Sequence, residues 1–494
     1  MITRLSKSRF QKGLQCEKAL WLTVHAPELA DPVTETKQWI FDQGTEVGRL
    51  AQELFEDGVE VAEDYRHTDE ALVTTERLLA EGATTLFEPA FFFDGVLVRV
   101  DALVAVDDCT WDLYEVKSGS RVKPENVTDA AVQVYVVEGA GLRVRRAHIV
   151  HLDTSYVWEG GAYDLEHLFT IEDVTAEARD TLPGIPALLE RFRAMLAGPE
   201  PEIRLGDRCR KPYMCDFSGY CHAALAGEHP ITDLPRLGEQ ALHALLDLGV
   251  TCIRDIPEDF RMLTPAQAEI VRVVKSGLPR IDAAGLARDL ARLTWPVYHL
   301  DFETINPALP LWPGTRPYQT IPFQYSIHVH HEDGSHEHRE YLHTTPDDPR
   351  RPLAERLIAD LGVAGSVMHY TAFERTRLNE LAAAIPDLAD TIGAILTRLV
   401  DLAAIIRTHT RHPATNGLTS IKRILPAWCP DLSYDDLAIG DGSAASVRYL
   451  RSLRGLLPDD ETGQLHADLI EYCGLDTLAM VRLLETLREH AGEG

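Results

Sequence analysis

The stretch from Asp94 to Gly119, DGVLVRVDALVAVDDCTWDLYEVKSG, constrains this chain more than any other. Val96, Val98 and Val100 alternate with Leu97, Arg99 and Asp101, a period of two that predicts a β-strand. Asp107-Asp108 supplies turn chemistry and Trp111 to Val116 resumes the apolar run, so the stretch reads as two strands joined by a tight polar turn. Glu115 and Lys117 are two apart and share a strand face, and ordinary hairpin pairing brings Asp101 to that face. Two carboxylates and an ammonium at a strand end suit metal-assisted phosphodiester cleavage. The carboxylates hold Mg²⁺ or Mn²⁺, and the lysine steadies the attacking water or a phosphate oxygen. A lone Glu-x-Lys also arises on any charged edge strand. The reading rests on the whole series: Glu88, the hairpin, Asp101, Glu115-x-Lys117, then a helix from about Pro124 with Gln133 and Tyr135.

A chain of 494 residues has room for two or three domains with ample core. No apolar run approaches a membrane span and the N-terminus lacks a signal-peptide core, which predicts a cytoplasmic protein without a membrane partner. The net charge of −29 argues against a generic nucleic-acid coat protein, because phosphate binding needs Lys and Arg. It leaves room for a nuclease whose carboxylates bind metal and whose basic residues are local. Two such groups are Arg4, Lys7, Arg9, Lys12 and Lys18, and Arg143, Arg145 and Arg146.

Cys16 stands near the start, and Cys209, Cys215 and Cys221 follow in GDRCRKPYMCDFSGYC. Four thiolates suffice for a [4Fe–4S] cluster or a structural zinc ion. Cys109, Cys252, Cys429 and Cys473 read as structural. A strand at Arg146 to Leu152 and a long helix near Ile171 to Ala197 lead into the late cysteines, and residues 226–292 read as short helices with Gly-containing turns.

From Trp295, WPVYHLDFETINP is an apolar strand ending in Asp301-x-Glu303. A hairpin follows with Asp333-Gly334 as its turn. Its His328, His330, His331, His336 and His338 read as polar hairpin positions rather than as a metal cluster. Further on come a helix near Pro352 to Leu361, the segment His369 to Glu374, and a helix near Leu465 to Leu487 with Tyr472 and Asp476 on one face. A pair of metal ions about 3.5–4 Å apart needs several convergent carboxylates, which this series supplies.

The first pattern resembles the RecB-like branch of the PD-(D/E)xK nucleases. That resemblance implies Asp101, Glu115 and Lys117 as catalytic residues, with Glu88 also facing the metal. It implies a phosphate- or lysine-positioning role for Gln133 with Tyr135, and a cluster-holding clasp of Cys16, Cys209, Cys215 and Cys221 that ties the two ends of the domain together. The chain departs from the family in three places. Gly48 stands where Gly-x-x-x-His would supply an extra histidine ligand, Gln133 and Tyr135 are closer than Gln-x-x-x-Tyr, and both late cysteine gaps are five residues, which keeps zinc open. The second pattern resembles the DEDD 3′→5′ exonucleases of the RNase H-like class. It implies Asp301, Glu303, Glu374 and Asp476 as the metal-binding set, Tyr472 orienting the attacking water, and Asp401 as a further acidic position. The second motif, His-Asn-x-x-Phe-Asp in that class, reads His369-Tyr370-Thr371-Ala372-Phe373-Glu374 here.

Together these resemblances imply an α/β chain. Residues 1–225 form a restriction-endonuclease-like domain of RecB type, 226–292 a helical linker faintly similar to helix-hairpin-helix modules, and 293–494 an RNase H-like domain. The function implied is a Mg²⁺- or Mn²⁺-dependent nuclease, an exonuclease acting on single-stranded DNA or DNA with free ends, with RNA also possible, in repair, recombination or defence. The alternative from a different class is a non-catalytic nucleic-acid-binding or scaffold protein.

Overall fold

The Asp94–Gly119 stretch forms three strands, not two, in the computed structural model, which describes residues 4–492 except 65, 108, 226 and 436. The strands of this half of the chain are β1 (Leu5–Ser6), β2 (Val59–Glu60), β3 (Thr85–Phe87), β4 (Ala90–Phe93), β5 (Val96–Arg99), β6 (Ala102–Ala105), β7 (Thr110–Lys117), β8 (Arg143–Leu152) and β9 (Phe169–Asp173). Asp94 (φ 44°) and Gly95 (φ 71°) turn β4 back onto β5, because a two-residue hairpin turn of this hand needs two successive positive φ values. β5 belongs to a three-stranded sheet, order β1-β5-β4, whereas β6 lies in a six-stranded sheet, order β2-β3-β6-β7-β8-β9. The expected first strand is therefore broken at Val100 and Asp101, where the chain passes from one sheet to the other. The break is held by Val100 N–H donating to Pro89 O (3.1 Å) and Glu88 N–H donating to Asp101 O (3.3 Å). The turn before β7 is made by Asp107, whose Oδ1 accepts from the N–H groups of Cys109 and Thr110, both at 2.8 Å. Asp108 lies outside the described residues.

β7 and β8 run parallel and are joined by the helix Pro124–Gly139. Its run Ala130 to Val134 is buried at every position, Gln133 included. The long helix expected from Ile171 to Ala197 is interrupted. β9 takes its first residues, and helices Thr175–Thr181 and Ile185–Leu196 are separated at Leu182–Gly184, where Pro183 cannot supply the N–H that would continue the ladder.

The chain divides into two compact units, one of Met1–Ala224 with Pro307–Gln319, the other of Leu225–Asn306 with Thr320–Gly494. In the first unit, the returning segment 307–319 packs Ala308 and Leu309 against Val47, Ala51, Val150 and Phe169. Ala308 N–H donates to Gln43 Oε1 at 2.6 Å, and Tyr163 donates its hydroxyl to Pro310 O at 2.8 Å.

The second unit contains β10 (Arg280–Ile281), β11 (Val297–Ile305), β12 (Ile321–His330), β13 (His336–Leu342), β14 (Ser366–His369), β15 (Leu399–Asp401) and β16 (Thr410–Arg411). Its main sheet has the order β13-β12-β11-β14-β15. The first three strands pair antiparallel, and β14 and β15 run parallel to β11. Residues 227–292 fall in this unit and form the expected short helices, with β10 between the last two. In the helix Pro265–Ser276, Thr264 and Gln267 form a reciprocal cap at the start and Gly277 (φ 66°) ends it. The Asp333-Gly334 turn is present, with Asp333 Oδ1 accepting from Ser335 N–H at 3.0 Å. His336 and His338 are exposed as predicted, but β12 is buried at every position, so His328 and His330 are not polar surface residues. The sheet is covered where they lie. His328 Nδ1 pairs with Thr477 Oγ1 (2.8 Å) on the long helix Asp459–Ala491, and His330 packs edge-on to Trp295. Among the described residues, no helix is long and apolar enough to cross a membrane. The protein is a mixed α/β chain.

Candidate active sites

In the first unit, β7 presents Glu115 and Lys117 on one face, and Lys117 Nζ donates to Glu115 Oε1 at 2.6 Å. Asp101, at the sheet crossover, accepts the Val116 N–H on Oδ2 at 2.5 Å. Gln133 reaches across from its helix and donates Nε2 to Glu115 Oε2 at 2.7 Å. These four residues, expected from the sequence, are brought together. Two more join them: Lys7 donates Nζ to Glu115 Oε1 at 2.7 Å, and Asp129 accepts from Lys117 Nζ at 2.5 Å. Asp129 lies one helical turn before Gln133, a spacing visible in the sequence. Lys7, read there only as part of a basic patch, arrives from the first helix, Lys7–Gln15, and has no local signature.

The charges are strongly coupled. Burial raises Asp101 to about 8, reinforced by Glu115 and opposed by Lys7. Burial also pushes Glu115 up, but Lys117 and Lys7 more than offset it and hold that carboxyl well below its usual range. Both lysines stay protonated against burial because Glu115 and Asp129 face them. Glu88 (φ 54°) turns toward Arg99, with Oε2 3.2 Å from Nε. Tyr135 points elsewhere and donates its hydroxyl to Asp94 Oδ2 at 2.9 Å. Gly44, on the helix Glu35–Gln52, faces Ser118 just beyond β7, and a Cβ on Gly48 would meet nothing within 4 Å. The position of the absent histidine is open space.

Cys16, Cys209, Cys215 and Cys221 line one small cavity. Burial raises Cys215 and, to about 11, Cys221, and the other thiols of the set add to both shifts. The early and late segments are also tied by ion pairs: Asp216 accepts from Lys12 and from Lys37, both at 2.5 Å, and Lys18 pairs with Glu200 at 2.7 Å.

In the second unit, Asp301 and Glu303 project from β11, Glu374 begins the helix Phe373–Ala384, and Tyr472 and Asp476 lie on the buried face of Asp459–Ala491. Burial raises all four carboxyls. Asp301 is driven well up, with Asp476, Glu374 and Glu303 adding to the shift. Glu303 rises to about 8 and Asp476 to about 6, the latter restrained by a hydrogen bond from Tyr434 at 2.6 Å. Glu374 is raised too, and its Oε2 lies 3.5 Å from His369 Nδ1 without forming a hydrogen bond. Burial and Asp476 hold the Tyr472 phenol in its neutral form.

Three residues here carried no sequence signal. Lys422 sits over the rings of Tyr472 (5.0 Å) and Tyr434 (5.3 Å), and its charge opposes the shifts of Glu303 and Asp476. Tyr434 bonds Asp476. Cys473, read as structural, has Sγ 3.7 Å from Asp301 Oδ2. Among the described residues, Asp301, Glu303 and Cys473 place one donor atom each within 4.8 Å of one another, close enough to share an ion. The four thiols of the first unit do not close to that spacing. Asp401, a further candidate, caps the helix Leu402–His409 by accepting from Ala404 N–H at 2.7 Å.

Residues 298–420, which include Asp301, Glu303 and Glu374 and stop short of Lys422, Tyr472 and Asp476, match the family described as a domain of unknown function, DUF2779. The chain is similar to Uncharacterized protein MG366 of Mycoplasma genitalium, at 24% identity over 206 residues, covering 38% of this chain and 31% of that protein. It is also similar to the Mycoplasma pneumoniae homologue of MG366, at 25% identity over 217 residues, covering 37% of this chain and 31% of that protein. The match thus spans under a third of the length of these curated relatives.

Proposed function

We propose that the protein is a metal-dependent nuclease whose second unit, RNase H-like, carries a DEDD-type exonuclease site, and whose first unit, of RecB type, carries a second candidate site. One observation supports this most: Asp301, half-buried, and Glu303, Glu374 and Asp476, buried, converge from three elements far apart in sequence. Like charges gathered out of water are costly unless cations or protons neutralise them. Divalent ions held there would polarise the phosphate and activate a water. Asp301, Glu303 and Asp476 supply the oxygen donors. Tyr472, neutral and facing the same carboxylates, is placed to orient the water by its hydroxyl, and Lys422 offsets the negative charge left on Glu303 and Asp476. The substrate class is nucleic acid, with DNA bearing a free end as the primary candidate. A central β11 flanked by an antiparallel meander on one side and parallel crossovers on the other supports the RNase H-like reading.

A second reading of the first unit has its own support. Both Glu115 oxygens are engaged, Oε1 by Lys7 and Lys117 and Oε2 by Gln133, which suits a binding platform as well as a metal site. End-labelled single- and double-stranded DNA and RNA with Mg²⁺ or Mn²⁺ separate these readings. If both sites cut, Lys117→Ala and Asp301→Asn each remove part of the product pattern. If Lys117→Ala cuts like the parent while Asp301→Asn is dead, the first unit is a platform. A parent inert on all four substrates overturns the nuclease reading.

The four thiols fit a metal or cluster by donor chemistry. A single zinc ion needs sulfurs about 3.8 Å apart, from Zn–S bonds near 2.3 Å in a tetrahedron. Cys16, Cys209, Cys215 and Cys221 line one cavity and would be the ligands of either a cluster or a zinc ion. Protein purified without oxygen is expected to be brown and to contain iron and acid-labile sulfide. Zinc without iron would assign the site to a structural ion.

A further inference from the structure

Within the second unit, a cavity of about 450 Å³ lies between the Pro265–Ser276 helix and the segment from Ile406 to Trp428. It is separate in the chain from the carboxylate cluster, and its polar wall is of opposite sign. Arg236, Arg407 and Arg411 line it. Among the described residues, none of the three has a carboxylate within ion-pair distance, and the charges felt most by Arg411 are those of Arg280 and Arg407. Three unneutralised guanidinium groups around one cavity are unusual in a chain of net charge −29. Asp233, three residues before Arg236, is engaged by Asn416 Nδ2 (3.1 Å) and by Arg423 (3.7 Å).

The rest of the wall mixes polar side chains, among them Thr264, Gln267 and Thr410, with apolar and aromatic ones. Ile270 and Trp428 contribute to it, and Trp428 is held edge-on between His412 (5.1 Å) and His490 (5.3 Å). The cavity is built by close approach of the loop after β16 to the Pro265–Ser276 helix. Gly417 has φ 81°, and a Cβ there would lie 2.3 Å from Ile270 Cδ1, so only glycine allows this approach. The volume is within the range of small-molecule sites, about 300–1,000 Å³. Guanidinium forks match phosphate oxygens in geometry and charge, and an indole beside aliphatic side chains suits a flat heterocycle edged by polar groups.

We propose that this cavity binds a nucleoside monophosphate group, either as a free nucleotide or as the 5′-terminal nucleotide of a polynucleotide. Its phosphate lies against Arg236 and Arg407 and its base against Trp428 and Ile270. The proposal does not depend on the nuclease reading, and its test is made without metal.

Isothermal titration of the full-length chain in EDTA uses AMP, adenosine, inorganic phosphate, and a short oligodeoxynucleotide with either a 5′-phosphate or a 5′-hydroxyl. AMP or the 5′-phosphorylated oligonucleotide is expected to bind, with adenosine or the 5′-hydroxyl form at least tenfold weaker. Binding of AMP identifies a free nucleotide, and binding of the phosphorylated oligonucleotide alone identifies a polynucleotide end. Arg407→Glu and Arg236→Glu alter exposed side chains and should each weaken binding at least tenfold with an unchanged melting curve. Trp428→Leu should weaken AMP but not inorganic phosphate. The proposal is overturned if neither AMP nor the phosphorylated oligonucleotide binds at millimolar concentration. It is also overturned if inorganic phosphate binds as tightly as AMP, or if both arginine variants bind like the parent.

Discussion

Replacing Lys7 and Lys117 together by alanine is expected to unfold the first unit, whereas either replacement alone leaves it folded. Each ammonium reaches both acids: Lys7 lies 2.7 Å from Glu115 and 3.8 Å from Asp129, and Lys117 lies 2.6 and 2.5 Å from the same groups. With one lysine gone the other still neutralises Glu115, whose side chain is only 2% exposed. With both gone, Asp101, Glu115 and Asp129 face one another in a buried site without a cation. Leaving a buried charge unpaired costs about 3–5 kcal/mol, a large part of the stability of an ordinary domain. Each single replacement should cost roughly 1 kcal/mol, so the pair is strongly non-additive. Denaturant titration of the parent, both singles and the double, with hydrogen exchange at β7 reporting on this unit alone, measures the coupling. A double variant that loses no more than the sum of the singles would show that the lysines do not substitute for each other. The same set separates roles: Lys117→Ala should remove first-site cleavage without unfolding the chain.

In the second unit the largest effect should come from pH and metal together. An acid held at about 8 when folded, like Glu303, and at 4.5 when unfolded binds more protons in the folded state. Stability therefore falls as pH rises across that interval, and Asp476, raised to about 6, adds to the fall up to that pH. The histidines on the same sheet face act oppositely. Burial lowers His328 to about 3 and His330 to about 4 from an ordinary 6.5, so they favour the folded state increasingly as pH rises toward 6.5. The two trends offset one another in mildly acidic solution, and above pH 6.5 only the carboxylates act. In EDTA the second unit should lose stability as pH rises from 6.5 to 8.5, by on the order of 2 kcal/mol from Glu303 alone. Mn²⁺ should restore that loss, and the rescue should be larger at pH 8 than at pH 6. Asp301→Asn removes one of the repelling charges, so it should flatten the decline and abolish the rescue. Thermal melts across this pH range, with and without Mn²⁺, read both effects. A parent whose melting is indifferent to Mn²⁺ at pH 8 would remove metal from the account of this site.

What the sequence disclosed and what it hid follow from the range of the interactions. Glu115-x-Lys117 and Tyr472-x-x-x-Asp476 are local, so the strand and helix periods place their side chains without knowledge of the fold. Asp301 and Glu303 were legible because an apolar strand ends in them. Lys7, Lys422 and Tyr434 were not, because each reaches its acids through tertiary packing that no spacing encodes. Asp129 was legible in principle, one turn before Gln133, and Asp94-Gly95 was a hairpin turn in plain view. The alternation from Val96 to Asp101 hid the sheet crossover, since period two continues through a break that only pairing partners reveal. The burial of His328 and His330 was hidden for the same reason: strand alternation gives the face of a side chain, and the long helix that covers it arrives about 150 residues later.

The return of residues 307–319 to the first unit bears on how the chain is made. A ribosome emits the N-terminal unit first, and domains ordinarily fold as they emerge. Here the core around Val47, Val150 and Phe169 lacks Ala308 and Leu309 until β11 of the other unit has already been synthesised. The first unit therefore completes its packing out of order, after the opening strand of its successor has left the exit tunnel. A nascent chain arrested near residue 290 should hold an unfinished N-terminal unit that gains protease resistance only when elongation is far enough past residue 320 for residues 307–319 to have left the exit tunnel.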